Sequence, residues 1–295
     1  MNLNFHYGSN ASFANHAAEP FDLPVEGGLF MLKEPADPES KRIAAIHGNQ
    51  NMIFSCGLSR RFGSTLVVDD LSFDLPIGSI CACLGPNGAG KSTAIKLLTG
   101  VLAPSSGRAT VAGFDVLTSP WDLKRNIGVL PERLGLFDHL TIEEHLHLVG
   151  PIYGLSSAET RRRTDQIIRV LSLEDGRHTF ADHLSMGMRK KTALALSLIH
   201  NPKVLFLDEP FESIDPASAL VVRDLLGTLP SRGMTVFFTA HSLSMAERIA
   251  THYAFLDHGR LVRLATSDEI LTTLEDAYFD LLPPVKGEDL PWLGR

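Results

Sequence analysis

Leu184 to Pro216 reads LSMGMRKKTALALSLIHNPKVLFLDEPFESIDP, and the order of its parts decides the fold. Val204-Leu205-Phe206-Leu207 is an unbroken apolar run, the pattern of a strand buried on both faces of a parallel sheet. Asp208-Glu209-Pro210 follows at once, so two carboxylates stand at the C-terminal end of that strand, where open α/β sheets bind ligands. Taken alone, the pair fits a turn as well as a site. Ahead of the strand, Ser185 precedes a helical run from Arg189 to Ile199. Ser185 reads as its N-cap, and the same helix end favours an anion; the two roles are compatible.

Working outward, Gly85-Pro86-Asn87-Gly88-Ala89-Gly90-Lys91-Ser92-Thr93 fits G-x-x-x-x-G-K-[ST] in full. It follows an apolar strand, Ile80 to Leu84, and opens a helical run, Thr93 to Leu98, as a phosphate-binding loop requires. Glycines let backbone amides close around an anion, and the helix N-terminus adds a favourable dipole. Lys91 is placed to reach β- and γ-phosphates, and Ser92 to ligate Mg²⁺ through its hydroxyl. Beside such a loop, Asp208 becomes a magnesium residue and Glu209 a general base for an attacking water.

Over residues 52 to about 282 this arrangement resembles the ATP-binding subunit of ABC (ATP-binding cassette) transporters, most closely the single-cassette ATPases of ABC-2-type exporters. Leu184-Ser185-Met186-Gly187-Met188 is similar to the family signature LSGGQ. The resemblance gives Ser185 and Gly187 contact with the γ-phosphate held by a second subunit. It makes Asp215, in Ser213-Ile214-Asp215, an organiser of the dimer contact, and His241, in TAHS, the switch histidine at the γ-phosphate. Phe62, in SRRFG, takes the place of the aromatic that stacks on adenine, with Val68 flanking the same base or ribose. By themselves, His241 would read as a loop residue and Phe62 as core.

Three positions depart from the family pattern. Glu132 stands where a glutamine is usual, and still offers oxygen to Mg²⁺ or water. Met186 and Met188 replace Gly and Gln. The resemblance implies a P-loop NTPase of the α/β class. Its RecA-like core would hold a mainly parallel sheet, joined by an antiparallel β subdomain and an inserted helical subdomain. It further implies ATP and Mg²⁺, a homodimer or pseudo-dimer with ATP at the interface, and a separate membrane permease. The expected location is cytoplasmic, on the inner face of the membrane through that permease. The mechanism implied is that γ-phosphate at the dimer interface moves Glu132, tilts the helical insert and so moves the permease.

Composition agrees with a globular chain of 295 residues, and the formal charge of −7 gives no basic field to recruit nucleic acid. No apolar run approaches the ~18 residues of a membrane helix, and no signal-peptide pattern opens the chain. Cys56, Cys81 and Cys83 are an odd set without metal-ligand partners, which suggests reduced, buried thiols in a cytoplasmic protein. Cys81 and Cys83 alternate on a strand and are expected on one face.

Residues 1–51 mix Asn, Ser, Gly and Pro without sustained period and read as a mostly disordered extension. A start at Met31 or Met52 is one expectation for that segment, and a short partner-binding tail is the other. Residues 52–282 form the expected ATPase domain. Met52 to Gly78, and Gly107 to Phe114, read as antiparallel strands, while 79–132 and 200–265 supply the parallel sheet. The helical insert spans about 138–183. Thr141-x-x-Glu144 is a capping box, placing Ile142, Leu146, Val149 and Tyr153 on one face, and Ser156-x-x-Glu159 begins a second helix the same way. Arg161-Arg162-Arg163 reads as a solvated face. Residues 266–282 read as a last helix capped by Ser267, and 283–295 as a loose tail.

Two other function classes remain open at this point. One is an ABC-type ATPase acting on nucleic acid or ribosomes, against which stand the single cassette and the lack of heptads between Lys91 and Ser185. The other is an ATP clamp that hydrolyses weakly through the altered Glu132 and signature.

Overall fold

The computed structural model describes residues 51–283. The expected extension (1–51) and tail (283–295) therefore lie outside the described residues, except for Asn51 and Pro283. Two long strands come first, β1 (Asn51–Phe62) and β2 (Thr65–Pro76), paired antiparallel with several register shifts. Then come β3 (Ile80–Leu84), α1 (Lys91–Leu98), β4 (Ser106–Val111), β5 (Phe114–Asp115), α2 (Pro120–Asn126) and β6 (Ile127–Leu130). The helical insert holds α3 (Ile142–Ile152) and α4 (Ser157–Val170). It is followed by α5 (Met186–Leu198), β7 (Val204–Leu207), α6 (Pro216–Thr228), β8 (Thr235–Ala240) and α7 (Leu243–Ile249). The described chain ends with β9 (His252–Asp257), β10 (Arg260–Thr266) and α8 (Leu274–Leu281).

One sheet is antiparallel, in the order β2-β1-β4-β5; the other runs β10-β9-β3-β8-β7-β6. In the second, β9, β3, β8, β7 and β6 are mutually parallel. The two most apolar strands, β3 and β7, are buried at every residue, as unbroken hydrophobic runs demand. Strand alternation divides the core. Ile80, Ala82 and Leu84 face a cluster that includes Leu146, Leu207 and Phe238, whereas Cys81 and Cys83 face one with Leu97, Phe206 and Phe237. The parallel sheet thus presents one face to the helical insert and the other to α1 and the antiparallel sheet. The strands that end at the site are fixed from both sides.

Several local expectations need correction. β10 pairs antiparallel to β9, because only a short turn around Gly259 joins them and a parallel return needs a crossover. The last helix begins at Leu274 behind Thr273. Residues 267–269 form a separate short turn boxed by Thr266 and Glu269, so Ser267 caps nothing. The signature helix α5 starts at Met186, directly after its cap Ser185. Cys56 is exposed, unlike Cys81 and Cys83, because it sits where the β1 pairing shifts register. On α3, Ile142 and Leu146 are buried as expected, but Tyr153 is an exposed cap whose ring stacks on His200 at 3.8 Å.

The capping box at Thr141 is complete. That at Ser156 is half made: Ser156 accepts from Glu159 N–H, while the Glu159 carboxylate turns to Arg162 and Arg163. Arg163 also donates to Ile199 O at 2.8 Å, so one of the three arginines ties the insert to α5 and only part of the run is a solvated face. Among the described residues no helix is long and apolar enough to cross a membrane.

Candidate functional site

The loop from Gly85 to Gly90 joins β3 to α1 and wraps the end of the central strand. Gly90 is the N-cap of α1 with φ 97°, and a Cβ there would lie 2.7 Å from Val67 O. Both the left-handed backbone and the close approach require glycine. Lys91 is buried, with Nζ donating to Gly85 O at 2.8 Å and Pro86 O at 3.3 Å. An ammonium curled over its own loop stands beside backbone amides that no helical carbonyl satisfies. That is a site ready for a polyphosphate anion.

Asp208 and Glu209 leave the end of β7 in different directions. Asp208 is buried and accepts from Ser92 Oγ at 3.0 Å and Thr239 Oγ1 at 2.8 Å. Glu209 has φ 49°, a left-handed backbone that disfavours a side-chain-bearing residue and turns its carboxylate away from the strand axis. Its N–H donates to Thr239 Oγ1 at 2.8 Å, its Oε2 accepts from His241 N–H at 3.2 Å, and its Oε1 lies 3.2 Å from His241 Nε2. Oε1 is buried and makes no hydrogen bond. Burial pushes the Glu209 carboxyl above its ordinary value, while His241 and Lys91 pull it back.

Lys91, Ser92, Glu209 and His241 share one cleft of about 430 Å³. Its walls are Asn87 to Thr93 together with Val67, Glu132, Glu209, Glu212 and His241. Asp208 stands behind Ser92, outside the lining. Ser92 hydroxyl and Asp208 carboxylate are adjacent hard oxygens, the donor set that suits Mg²⁺. Among the described residues no cluster of three His, Cys, Asp or Glu side chains forms a metal cage. A magnesium site completed by substrate phosphate needs none.

Other expected residues fall elsewhere. Val68 is fully buried in the core; strand alternation gives the cleft position to Val67, a correction to the expected base contact. Phe62 lies outside the phosphate cleft. Its ring is 47% exposed with the Arg60 guanidinium 4.7 Å from its centre, so an aromatic surface is available. Ser185, Gly187 and Asp215 form a second group. Ser185 caps α5 by accepting from Met188 N–H, and Asp215 caps α6 by accepting from Ser218 N–H. A Cβ on Gly187 would meet Asp215 Oδ2 at 2.9 Å, so the two helix starts are pressed together. None of the three lines the cleft of its own chain.

Three side chains escaped sequence reasoning. Thr239 pins Asp208 and the Glu209 backbone; the signal available was a hydroxyl in an otherwise apolar strand end, TVFFTA. Glu212 lines the cleft from the loop after β7. Lys190 is buried on α5 with its ammonium on the backbone of that loop, and nothing in the local pattern separates it from its neighbours Arg189 and Lys191.

Comparison with known proteins agrees with this geometry. Residues 68–212 match the family model described as ABC transporter. The chain is 36% identical over 222 residues to the daunorubicin/doxorubicin resistance ATP-binding protein DrrA of Streptomyces peucetius, covering 75% of this chain and 67% of that one. It is 30% identical to the linearmycin resistance ATP-binding protein LnrL of Bacillus subtilis, covering 76% and 72%. Among solved structures, an ATP-binding subunit of an ABC transporter superposes with a TM-score of 0.73 at 30% identity, covering 78% of this chain and 99% of that one.

Proposed function

Because this chain belongs to the ABC transporter family, we propose that it is the ATP-binding and hydrolysing subunit of an exporter of the drug-resistance type, driving a separate membrane permease. The observation that carries this is the convergence of Lys91, Ser92, Glu209 and His241 on one cleft, with Asp208 directly behind Ser92. The names of the two relatives, both resistance ATP-binding proteins, support export as the direction.

The loop amides and Lys91 bind the β- and γ-phosphates, for which Lys91 must release Gly85 O and Pro86 O. Ser92 and Asp208 would hold Mg²⁺, which supplies charge neutralisation at the phosphates when bound. Glu209 accepts the proton as the water oxygen bonds to the γ-phosphorus and the bridging P–O bond breaks, leaving ADP and inorganic phosphate. His241, on the Glu209 carboxylate, orients that base and meets the γ-phosphate. Thr239 holds Asp208 and the Glu209 backbone in register. Glu132 reaches the same cleft from the loop after β6 and reports its state to the helical insert. Phe62 offers the stacking surface for adenine.

Two copies close on ATP in this reading, because Ser185, Gly187 and Asp215 stand together outside the cleft of their own chain. The permease surface is the segment after Glu132. Phe137 is 61% exposed, and with Asp138, His139, Leu140 and Leu148 it lines a shallow cleft of about 470 Å³. His145 anchors that segment: its Nε2 accepts from Phe137 N–H at 2.9 Å, which leaves the ring proton on Nδ1 for Thr141 O at 2.7 Å. Docking there puts the subunit on the cytoplasmic face of the membrane.

The test is steady-state hydrolysis with Mg²⁺. The parent chain should turn over ATP with a concentration dependence that reports pairing of two copies. Lys91→Ala should abolish binding and turnover, and Glu209→Gln should bind ATP, dimerise and fail to hydrolyse. Equal turnover in Glu209→Gln would remove Glu209 as the base.

A further inference from the structure

Lys190 is 8% exposed, unusual for a lysine. Its Nζ donates to Glu209 O at 2.6 Å and also to Glu212 O. Both carbonyls belong to the tight turn that carries the base. Glu209 has φ 49°, Ser213 has φ 58°, and Glu212 N–H returns to Glu209 O at 3.3 Å. Without the ammonium, both carbonyls would lose a partner, that of Glu209 in a buried place, and the left-handed turn would lose its tie to α5.

Taking an ammonium out of water is costly, and an apolar side chain at this position of α5 would be buried with less penalty. What offsets the cost is local: two carbonyls and the carboxylates of Glu212, Glu209 and Asp208. The neighbouring Lys191 points the other way, donating to Ser172 O at 3.0 Å just after α4. The first turns of α5 are therefore held to the base on one side and to the helical insert on the other. At the head of the same helix stand Ser185 and Gly187.

We propose that Lys190 is a positioning residue through which a nucleotide bound by a second copy at Ser185 and Gly187 sets the geometry of Glu209, so that each ATP site senses the other. This rests on the reading that two copies close on ATP. A helix moves as a rigid body over two turns, so a displacement at Gly187 reaches Lys190, three residues on, undiminished. The ammonium then carries it to the Glu209 backbone. The link adds nothing to ATP binding, because Lys190 lies outside the phosphate cleft.

The experiment compares parent, Lys190→Met and Lys190→Arg as full chains. Lys190→Met keeps the apolar stem and removes the ammonium. Its kcat should fall by about tenfold with the ATP KM within about twofold, the signature of lost positioning with ground-state binding kept. Its Hill coefficient should drop to one, and Lys190→Arg should recover part of both. Hydrogen exchange adds an arm that needs no turnover. A non-hydrolysable ATP analogue should slow amide exchange at residues 209–213 in the parent and slow it clearly less in Lys190→Met, where only contact with the chain's own cleft remains. If Lys190→Met does not fold, Lys190→Leu, which likewise removes every donor, takes its place. Parental kcat, Hill coefficient and analogue-dependent exchange in the variant would overturn the proposal. Absence of turnover in the parent would count against the ATPase reading alone, since the exchange arm still decides Lys190.

Discussion

Glu209 bears two penalties that most strand-end carboxylates avoid. Its backbone is left-handed, and its side chain is nearly buried beside Asp208. Burial raises its proton affinity in the folded state above the ordinary value of 4.5. A carboxyl with a raised folded pKa takes up a proton more readily on folding. Its contribution to stability is present in full below the unfolded pKa and is lost as pH rises through the folded one. At neutral pH the ionised group is a liability, so Glu209→Gln should melt above the parent at pH 7. The gap should close as pH falls below the carboxylate range. Calorimetry at several pH values reads this; a variant that melts lower at pH 7 would refute it. The same shift sets activity with the opposite sense. As the proposed base, Glu209 works only when ionised, so the acid limb of kcat/KM should lie above 4.5. Residues chosen for chemistry thus weaken the fold where they sit, a common trade.

At the scale of elements, the insert offers a controlled comparison of two N-caps. Thr141 and Ser156 each accept one backbone N–H at 3.2 Å. Thr141 is buried and its box is closed by Glu144, whereas Ser156 is exposed and Glu159 has turned to arginines. The Glu144 N–H orphaned at the first cap is part-buried and keeps part of its desolvation cost, while the Glu159 N–H at the second is exposed and is taken by water. Thr141→Ala should therefore cost about 1–2 kcal/mol and Ser156→Ala about 0.5 kcal/mol in urea unfolding. Equal losses would mean that burial of the cap is irrelevant. Both caps were visible in the sequence because S/T-x-x-E is a local signal. So were β3 and β7, whose bounds follow from unbroken apolar runs between glycine, proline and acidic residues. Less visible was anything settled by distant chain. Val67 and Val68 look alike until the pairing of β2 turns one inward. Thr273 displaces Ser267 as the last cap because residues 267–269 close on Thr266 instead. Lys190 and Thr239 are ordinary by type, and acquire roles only when α5, β7 and β8 meet.

The whole molecule is organised around β3, which joins the phosphate loop to both apolar layers. Cys81 and Cys83 lie on this strand, fully buried, facing α1 and the antiparallel sheet. Burial pushes Cys83 up to about 12 and Cys81 well above the usual thiol range, so neither forms thiolate in the closed protein. Cys56 is exposed on β1. A thiol reagent should therefore modify one cysteine quickly in the native chain and the other two only when the core opens. The slow rate then measures the free energy of opening the centre of the molecule. Nucleotide that binds only the closed form must suppress that opening by mass action. At a concentration a hundredfold above Kd, the slow phase should fall by about a hundredfold, equivalent to about 2.7 kcal/mol. Lys91→Ala should fold and show the same slow phase without the nucleotide effect. If nucleotide left the slow phase of the parent unchanged, the phosphate loop and β3 would be opening independently. The parallel sheet would then not be the single cooperative unit that its two-sided burial implies.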